Sequence, residues 1–235
     1  MPVLLQACLN GARLPAEHPA LPVTPAQIAA AAAEAVAAGA RELHVHPKDP
    51  GGRDSLRPEH VDPVVAALRE AVPGVPVGVT TGAWAAGDPA VRLAQVAGWR
   101  SRPDHASVNW HEEGAAELAA ALTGLGVGIE AGIWHAGAAA AFAASGVECL
   151  RVLVEVVDQE DPLSTARDLL ARLRGVPAPL LLHGEDANAW PVFRLAAELG
   201  LDSRVGLEDT LVLPDGSPAP SNAALVRAAL ALAGD

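Results

Sequence analysis

RELHVHPKDP, Arg41 to Pro50, contains a short apolar strand that ends in two histidines before a turn rich in Pro and Gly. Side chains alternate between the two faces of a strand, so His44 and His46 share one face while Val45 lies on the other. The segment therefore predicts a strand whose carboxyl end carries two imidazoles on the same side.

The same order, a short β-branched strand followed by a longer segment of helix-forming residues, repeats along the chain. The predicted strands are Val3–Asn10, Glu42–His46, Val75–Thr80, His105–Asn109, Gly126–Glu130, Cys149–Glu155, Pro179–His183 and Arg204–Glu208. The predicted helices lie near residues 25–38, 58–71, 89–99, 112–123, 135–144, 161–174, 189–199 and 221–233. Eight such units in 235 residues, without a linker or a break in composition, predict a single (β/α)8 TIM barrel over residues 1–235.

A doubly wound open sheet would share this local pattern, and the positions of the polar residues favour the barrel instead. Nearly every predicted strand ends in functional groups, among them Asn10, Thr80, Glu155 and His183. Barrel enzymes build their sites from the carboxyl ends of many strands, whereas an open sheet uses mainly the point where the strand order reverses. The distribution thus predicts an enzyme as well as a barrel.

Composition excludes two classes of partner. The formal net charge is -12, and both nucleic acids and anionic membrane surfaces require a basic face. Cys8 and Cys149 lie in apolar runs and are interpreted as small buried hydrophobic residues, which favours a reducing, cytoplasmic location. The Ala-rich helices are compatible with close packing in a homo-oligomer.

Two histidines and a carboxylate are candidates for a metal site. In an eight-stranded barrel, alternate strands fill the same interior layer, so His46 on the second strand and Glu208 on the eighth are expected to meet. His44, His46 and Glu208 with one open position have the composition of a catalytic zinc site, and the set also suits iron or manganese. The alternative is a pair of hydrogen-bonded core histidines.

Arg204 and Asp209 flank this candidate ligand in SRVGLEDTL, Ser203 to Leu211. An arginine facing the barrel interior needs an anionic partner, because an unpaired buried guanidinium is very costly. Arg204 is therefore either part of a structural ion pair or a catalytic residue. Asp209 is a candidate general base, and its alternative role is to cap the following turn.

Hydroxyl, amide and carboxylate groups near the ends of strands three to five are candidates for substrate binding. Thr80 and Thr81 precede Gly82 and suit a carboxylate or phosphate oxygen, although an ordinary turn has the same composition. Ser107 and Asn109 share a strand face. Their alternative role is to satisfy the neighbouring backbone. Glu130, expected at the end of strand five, either binds a polar ligand group or pairs with a cation.

Six segments taken in order resemble the β-keto acid cleavage enzyme family over residues 6–228. They are CLNGAR…HPALPVTP, AGARELHVHPKD, VTTGAW, PDHASVN, GIEAGIW and RVGLEDTLVLPDGSPAPSNAALV. The resemblance implies a (β/α)8 barrel that binds a divalent metal, usually zinc, through His44, His46 and Glu208. It also implies a condensation of a β-keto acid with acetyl-CoA, which gives acetoacetate and a new acyl-CoA.

The resemblance implies roles for further residues. Asp209, oriented by Arg204, would take the C2 proton of the substrate. The residues that would hold the substrate carboxylate and neighbouring oxygens are Thr80, Thr81, Ser107 and Asn109. The alternatives are another metal-dependent barrel enzyme, a hydrolase or an aldolase, and a catalytically silent barrel that binds an acyl-CoA or a carboxylate.

The chain departs from the family pattern at two positions. Arg13 stands where the member that cleaves 3-keto-5-aminohexanoate has a glutamate that meets the substrate amino group. We therefore expect Arg13 to contact the distal end of the substrate, to disfavour an amino group there and to accept a neutral or anionic group. Lys48 stands where arginine is common, which replaces a forked donor by a point charge.

Overall fold

Strands and helices alternate along residues 4–234, the part of the chain that the structure, a computed structural model, describes. The strands are β1 (Leu5–Cys8), β2 (Glu42–Val45), β3 (Val77–Thr80), β4 (His105–Asn109), β5 (Gly128–Ile133), β6 (Arg151–Val156), β7 (Leu180–Gly184) and β8 (Ser203–Val205). The helices are α1 (Pro25–Ala37), α2 (Pro58–Ala71), α3 (Pro89–Ala97), α4 (Ala115–Gly124), α5 (Ala136–Ser145), α6 (Pro162–Arg172), α7 (Ala189–Leu199) and α8 (Asn222–Gly234). The predicted start of the first strand, Val3, lies outside the described residues.

The strands form one parallel sheet in the order β7-β6-β5-β4-β3-β2-β1-β8. The two ends of this order also meet, because Leu181 forms an isolated parallel bridge with Asp202. Beside it, the Ser203 hydroxyl donates to the carbonyl of Leu182 at 2.8 Å. The sheet is thus nearly closed, and the predicted (β/α)8 barrel is confirmed over the described residues.

Local sequence explains where several helices begin. Thr24 forms a capping box with Gln27 before α1, because its side chain accepts from the Gln27 backbone while the Gln27 side chain accepts from the Thr24 backbone. Asp88 and Asp161 cap α3 and α6 in the same way, with side chains that accept from backbone N–H groups of the first turn. These caps direct each strand into the helix that follows it.

Two predicted strand boundaries are wrong in ways that matter for the site. The eighth strand does not run from Arg204 to Glu208 but ends at Val205. A Cβ on Gly206 would lie only 1.8 Å from the Cys8 carbonyl oxygen, and the chain turns there, with the N–H of Asp209 donating to the Gly206 carbonyl. Glu208 therefore projects from a turn and not from a strand.

The fifth strand continues past Glu130, its predicted end, to Ile133. The reason is pairing with β6, in which Ala131, Gly132 and Ile133 lie opposite Val152, Leu153 and Val154. Glu130 is consequently in the middle of a strand, below the carboxyl end of the barrel.

The structure also describes the two cysteines and the apolar character of the helices. Cys8 is buried and Cys149 is partly buried, and both are free thiols. Among residues 4–234, none of the helices combines the length and the apolar character needed to cross a membrane.

Candidate active site and metal centre

His44 and His46 project into the barrel from the carboxyl end of β2. His44 pairs in register with Cys8 on β1 and Gly78 on β3, which places it in the sheet with its ring directed inward. The two rings lie edge to face with centroids 5.2 Å apart, and both residues are almost completely buried. The alternation expected from HVH is therefore present.

Glu208 reaches both rings from the turn after β8. Its Oε1 lies 3.5 Å from Nε2 of His46 and 3.9 Å from Nε2 of His44. Ligands about 2 Å from a zinc ion in tetrahedral geometry are roughly 3.3 Å apart, close to these separations. We call His44, His46 and Glu208 the ligand trio.

The surroundings of the ligand trio fit a divalent metal. Glu208 Oε2 is buried and has no hydrogen-bond partner among the described residues, and such an orphaned acceptor needs a cation or a donor. Burial lowers the pKa of His44 to about 3, with Arg204 and His46 acting in the same direction. His44 is therefore in the neutral form that binds metals.

Asp54 holds His46 from the side away from Glu208. Its Oδ2 lies 2.7 Å from His46 Nδ1, and its Oδ1 accepts from Lys48 Nζ at 2.5 Å. The Trp84 indole N–H also donates to Asp54, at 2.7 Å, and its ring stacks over His46. A carboxylate on the remote nitrogen of a metal-binding histidine fixes which nitrogen faces the metal.

Charge around His46 agrees with this arrangement. Burial lowers the pKa of His46, but Asp54 and Glu208 outweigh it and raise the value to about 9. Burial likewise raises the pKa of Asp54, yet His46 and Lys48 bring it down to about 2. His46 thus lies between two carboxylates, an environment that favours a cation at its Nε2.

Arg204 lies under the cavity and pairs with two carboxylates. It is 4 % exposed, and its NH2 donates to Glu208 Oε1 at 2.8 Å. Its Nε donates to Asp209 Oδ1 and to His183 Nδ1, both at 3.1 Å. Both anionic partners come from the turn after β8, and this pairing accounts for a guanidinium inside the barrel.

Asp209 is buried behind Arg204. Burial raises its pKa to about 7, against the lowering effect of Arg204 and together with the raising effect of Glu208. Its Oδ2 is buried without a partner among the described residues. The side chain does not line the cavity described next.

An open cavity of about 320 Å³ lies at the carboxyl ends of the strands, directly above the ligand trio. The predicted site residues that line it are Arg13, His44, His46, Thr80, Ser107, Asn109, Arg204 and Glu208. The structure places Thr81, Glu130 and Asp209 outside this lining. With Glu155 on β6, the lining comes from five strands, β2, β3, β4, β6 and β8, and from the loops after β1, β2, β3, β5, β7 and β8. A barrel enzyme requires this arrangement.

Thr81 and Asn109 are held by hydrogen bonds to neighbouring segments of the chain. The Thr81 hydroxyl donates to the Ser107 carbonyl at 2.5 Å and therefore ties β3 to β4. The Asn109 amide donates to Glu112 at 3.0 Å, and Glu112 also accepts from the Ala83 N–H and pairs with Arg92. Thr81 has the neighbouring backbone as its partner, whereas Asn109 faces the cavity.

Glu130 lies below the ligand trio in a buried set of charges. Its Oε1 accepts from Gln6 at 3.0 Å and lies 3.0 Å from Arg151 Nε, while its Oε2 is 3.9 Å from His44 Nδ1. Arg151 also pairs with Glu42, and His105 lies 3.5 Å from both carboxylates. We call Glu42, His105, Glu130 and Arg151 the buried ionic cluster.

Arg13 lines the cavity but is already paired. Its guanidinium forms an ion pair with Asp186, lies 3.4 Å from Glu17, and donates to the backbone carbonyls of Leu207 and Glu208 at 2.8 and 3.1 Å. Arg13 therefore anchors the turn that carries Glu208.

Sequence reasoning missed several residues that line the cavity or hold its ligands. They are Glu17, Asp54, Trp84, Trp134 and Asp186. Glu155 and Glu185 also line the cavity, and both stand at or just after the end of a predicted strand, where the sequence predicts functional groups, although it assigns neither of them a role. Asp54 had no such signal, because a loop that folds back through the Lys48–Asp54 bridge brings it to His46.

A protein-family model described as beta-keto acid cleavage enzyme matches residues 2–235. Among solved structures, the binary complex of ObcA with oxaloacetate has a TM-score of 0.66 at 18% sequence identity. The alignment covers 89% of this chain and 62% of that one, so the chain spans about three fifths of the length of ObcA. The ternary complex of ObcA with a C4-CoA adduct and oxalate has the same values.

A type I 3-dehydroquinate dehydratase from Clostridium difficile also has a TM-score of 0.66, at 11% sequence identity, over 99% of this chain and 93% of that one. At such identities the likeness to solved structures shows the barrel fold alone.

Proposed function

The chain belongs to the beta-keto acid cleavage enzyme family, and from that premise we propose that it condenses a β-keto acid with acetyl-CoA to give acetoacetate and a new acyl-CoA. The observation that carries the proposal is the ligand trio, which lies beneath a cavity lined by Thr80, Ser107 and Asn109. The trio would hold a divalent metal such as zinc, which would supply a Lewis acid for the β-keto acid.

We assign the remaining binding roles to side chains that face the cavity. The Ser107 and Thr80 hydroxyls and the Asn109 amide are positioned to hold substrate oxygens. Arg204 keeps Glu208 and Asp209 in place through its two donor nitrogens. Thr81 and Glu130 act on the substrate only through the residues they hold, since neither lines the cavity.

Asp209 is the proposed general base. It takes a proton from C2 of the β-keto acid, and the carbanion attacks the thioester carbonyl of acetyl-CoA. The CoA thiolate that leaves then attacks the original ketone, the C2–C3 bond breaks, and C2 recovers the proton from Asp209. The products are acetoacetate and the acyl-CoA of the remaining chain, so atoms and charge balance. Because Asp209 lies behind Arg204, this role requires the substrate to reach past the guanidinium.

The charges on the cavity wall indicate which distal group the substrate carries. Arg13 is neutralised by Asp186, and the wall also carries Glu17 and Glu185. An anionic distal group would meet these acidic side chains without a free cation, so of the two groups expected from Arg13 the neutral one is favoured. Comparing turnover of aliphatic, amino and dicarboxylic β-keto acids tests this, and a preference for the amino or dicarboxylic substrates would contradict it.

The experiment that tests the function joins metal analysis to product detection. Purified protein is analysed for zinc and assayed by mass spectrometry for acetoacetate, with and without acetyl-CoA. We expect one zinc per chain and a product that depends on acetyl-CoA. His46→Ala should lose zinc and product, Asp209→Asn should lose product alone, and the exposed control Glu59→Gln should keep both.

Other results would favour the alternatives. Zinc with turnover of a β-keto acid but no need for acetyl-CoA would indicate a hydrolase or an aldolase that uses the same ligands. Binding of an acyl-CoA or a carboxylate without turnover would indicate a silent binding barrel. A homo-oligomer and a cytoplasmic location stay predictions, and the mass of the protein in solution checks the first of them.

A further inference from the structure

Glu155 is a buried carboxyl group in the cavity to which the proposed reaction assigns no role. On β6, Arg151, Leu153 and Glu155 share the inner face, as do Glu42, His44 and His46 on β2. Arg151 pairs with Glu42 low in the barrel. Glu155 and His46 each lie four residues further along the chain than these two, so both reach the same height near the carboxyl ends of the strands. Glu155 is 5 % exposed and lines the cavity.

The groups that face Glu155 leave it without a cation. On β7, Nε2 of His183 is 3.7 Å from its carboxylate. Arg204 on β8 directs its nitrogens to Glu208 and Asp209 instead. Within the part of the chain that the structure describes, no Lys or Arg nitrogen lies within 4.0 Å of Glu155. The other two buried carboxylates near Arg204 are paired, and Glu155 is not.

A glycine on the neighbouring strand lets Glu155 and Asn109 approach each other. A Cβ on Gly132 would lie 3.1 Å from Glu155 Oε1 and 2.5 Å from Asn109 Oδ1, closer than a side chain allows. The two polar groups therefore lie next to each other over Gly132. Both side chains line the cavity.

We propose that Glu155 is a substrate-binding acid, whose neutral carboxyl group donates a hydrogen bond to an oxygen of the β-keto acid beside Asn109. The inference rests on the proposed function, because it takes a β-keto acid as the ligand. A protonated carboxyl group in a buried site is a strong donor to an oxygen that carries or develops negative charge. The ionised form would instead repel the substrate carboxylate.

The electrostatic environment agrees with the geometry. Burial raises the pKa of Glu155 to about 8, with Arg204 and the Trp134 side chain lowering it and with Glu185 and Glu208 raising it. Burial and the charge of Arg204 keep the pKa of His183 well below its usual range, so that ring is neutral beside Glu155. Glu155 is consequently protonated below its pKa and loses the donor as the pH rises through that value.

The test is calorimetric titration of acetoacetate into purified wild-type protein, Glu155→Gln and Glu155→Leu, at about pH 7 and about pH 9.5, on either side of the Glu155 pKa. Glutamine keeps a neutral donor, whereas leucine removes it. At the lower pH we expect Glu155→Gln to bind within about threefold of wild type and Glu155→Leu about tenfold or more weakly. Glu160→Gln, in the exposed loop after the same strand, is the matched control and should bind as wild type.

The comparison of the two pH values tests the inference even if the leucine variant does not fold. The affinity of the wild type for acetoacetate should fall about tenfold at the higher pH. The affinity of Glu155→Gln should change much less, because its amide donor does not titrate. Three results would overturn the inference. The affinity could fall equally with pH in the wild type and in Glu155→Gln, the glutamine and leucine variants could bind equally weakly, or the wild type could fail to bind acetoacetate. Binding that follows the expected pattern in a protein without acyl transfer would contradict the proposed function and leave the role of Glu155 in place.

Discussion

Within residues 4–234, two sets of histidine and glutamate in the barrel interior meet the geometric requirement for a metal, and they differ in how they pair with arginine. The ligand trio has buried donor atoms within 4.8 Å of one another, and so do Glu42, His105 and Glu130 of the buried ionic cluster. In the cluster, Arg151 pairs with both carboxylates. In the trio, Arg204 reaches one oxygen of Glu208 and leaves the other without a partner.

Residue type alone therefore does not define a metal site in this barrel. Two buried carboxylates need positive charge, and an internal guanidinium supplies it without an ion. No member of the cluster lines the cavity, whereas all three members of the trio do and can exchange a ligand there. We therefore expect metal at the trio and a structural role for the cluster.

Removing a ligand from each set should produce the largest contrast. His46→Ala leaves two protein ligands, and we expect zinc affinity to fall by about a thousandfold or more. His105→Gln in the cluster should leave one zinc per chain. Zinc content after dialysis against a weak chelator measures both. Loss of zinc in the His105 variant alone would reverse the assignment of the two sets.

Removing the internal cation should separate stability from metal binding. Arg151→Met leaves Glu42 and Glu130 without their guanidinium, so we expect about 3–5 kcal/mol less free energy of unfolding. Arg172→Met, whose exposed partner is Asp168, should cost less than about 1 kcal/mol. Urea denaturation measures both variants. Equal losses would show that the buried ionic cluster contributes no more than a surface ion pair.

Asp54 tests how far the ligand trio depends on its outer contacts. Asp54→Asn weakens the acceptor on His46 Nδ1, and zinc affinity should fall by about 10–100-fold. Chelator competition gives the dissociation constant, with Glu59→Gln as the exposed control. An unchanged constant in the Asp54 variant would mean that the ring is oriented by packing alone.

The smallest expected effect is at Trp84. Trp84→Phe keeps an aromatic ring over His46 but removes the N–H that donates to Asp54. We expect zinc affinity to fall by less than about tenfold, since one of several hydrogen bonds to Asp54 is lost. The same competition assay measures it, and a fall as large as that of Asp54→Asn would assign the orientation of Asp54 mainly to Trp84.

Part of the candidate site follows directly from strand periodicity. HVH predicts two imidazoles on one face because alternation is a property of any single strand. His44, His46, Ser107 and Asn109 all lie where this rule puts them, facing the barrel interior. Glu130 also faces inward as predicted. Its predicted height, at the carboxyl end of the barrel, is wrong, because pairing with β6 extends β5 beyond it.

Other parts of the site depend on side chains that only the folded chain brings together. Arg13 lies far from Asp186 in sequence, yet their ion pair decides whether its charge is free to meet a substrate. Asp54 reaches His46 through a loop that folds back on Lys48. Neither contact has a local signal, because both join segments whose approach is set by the packing of loops.

The eight βα units and the pair of histidines on one strand face could be predicted from sequence, because strand alternation, helix caps and turn residues act over a few neighbouring positions. Closure of the barrel decided the rest. It brings the turn after β8 against β1 and next to β2, so that Glu208 reaches His44 and His46. It also decides which buried carboxylates receive an arginine and which, like Glu155, do not.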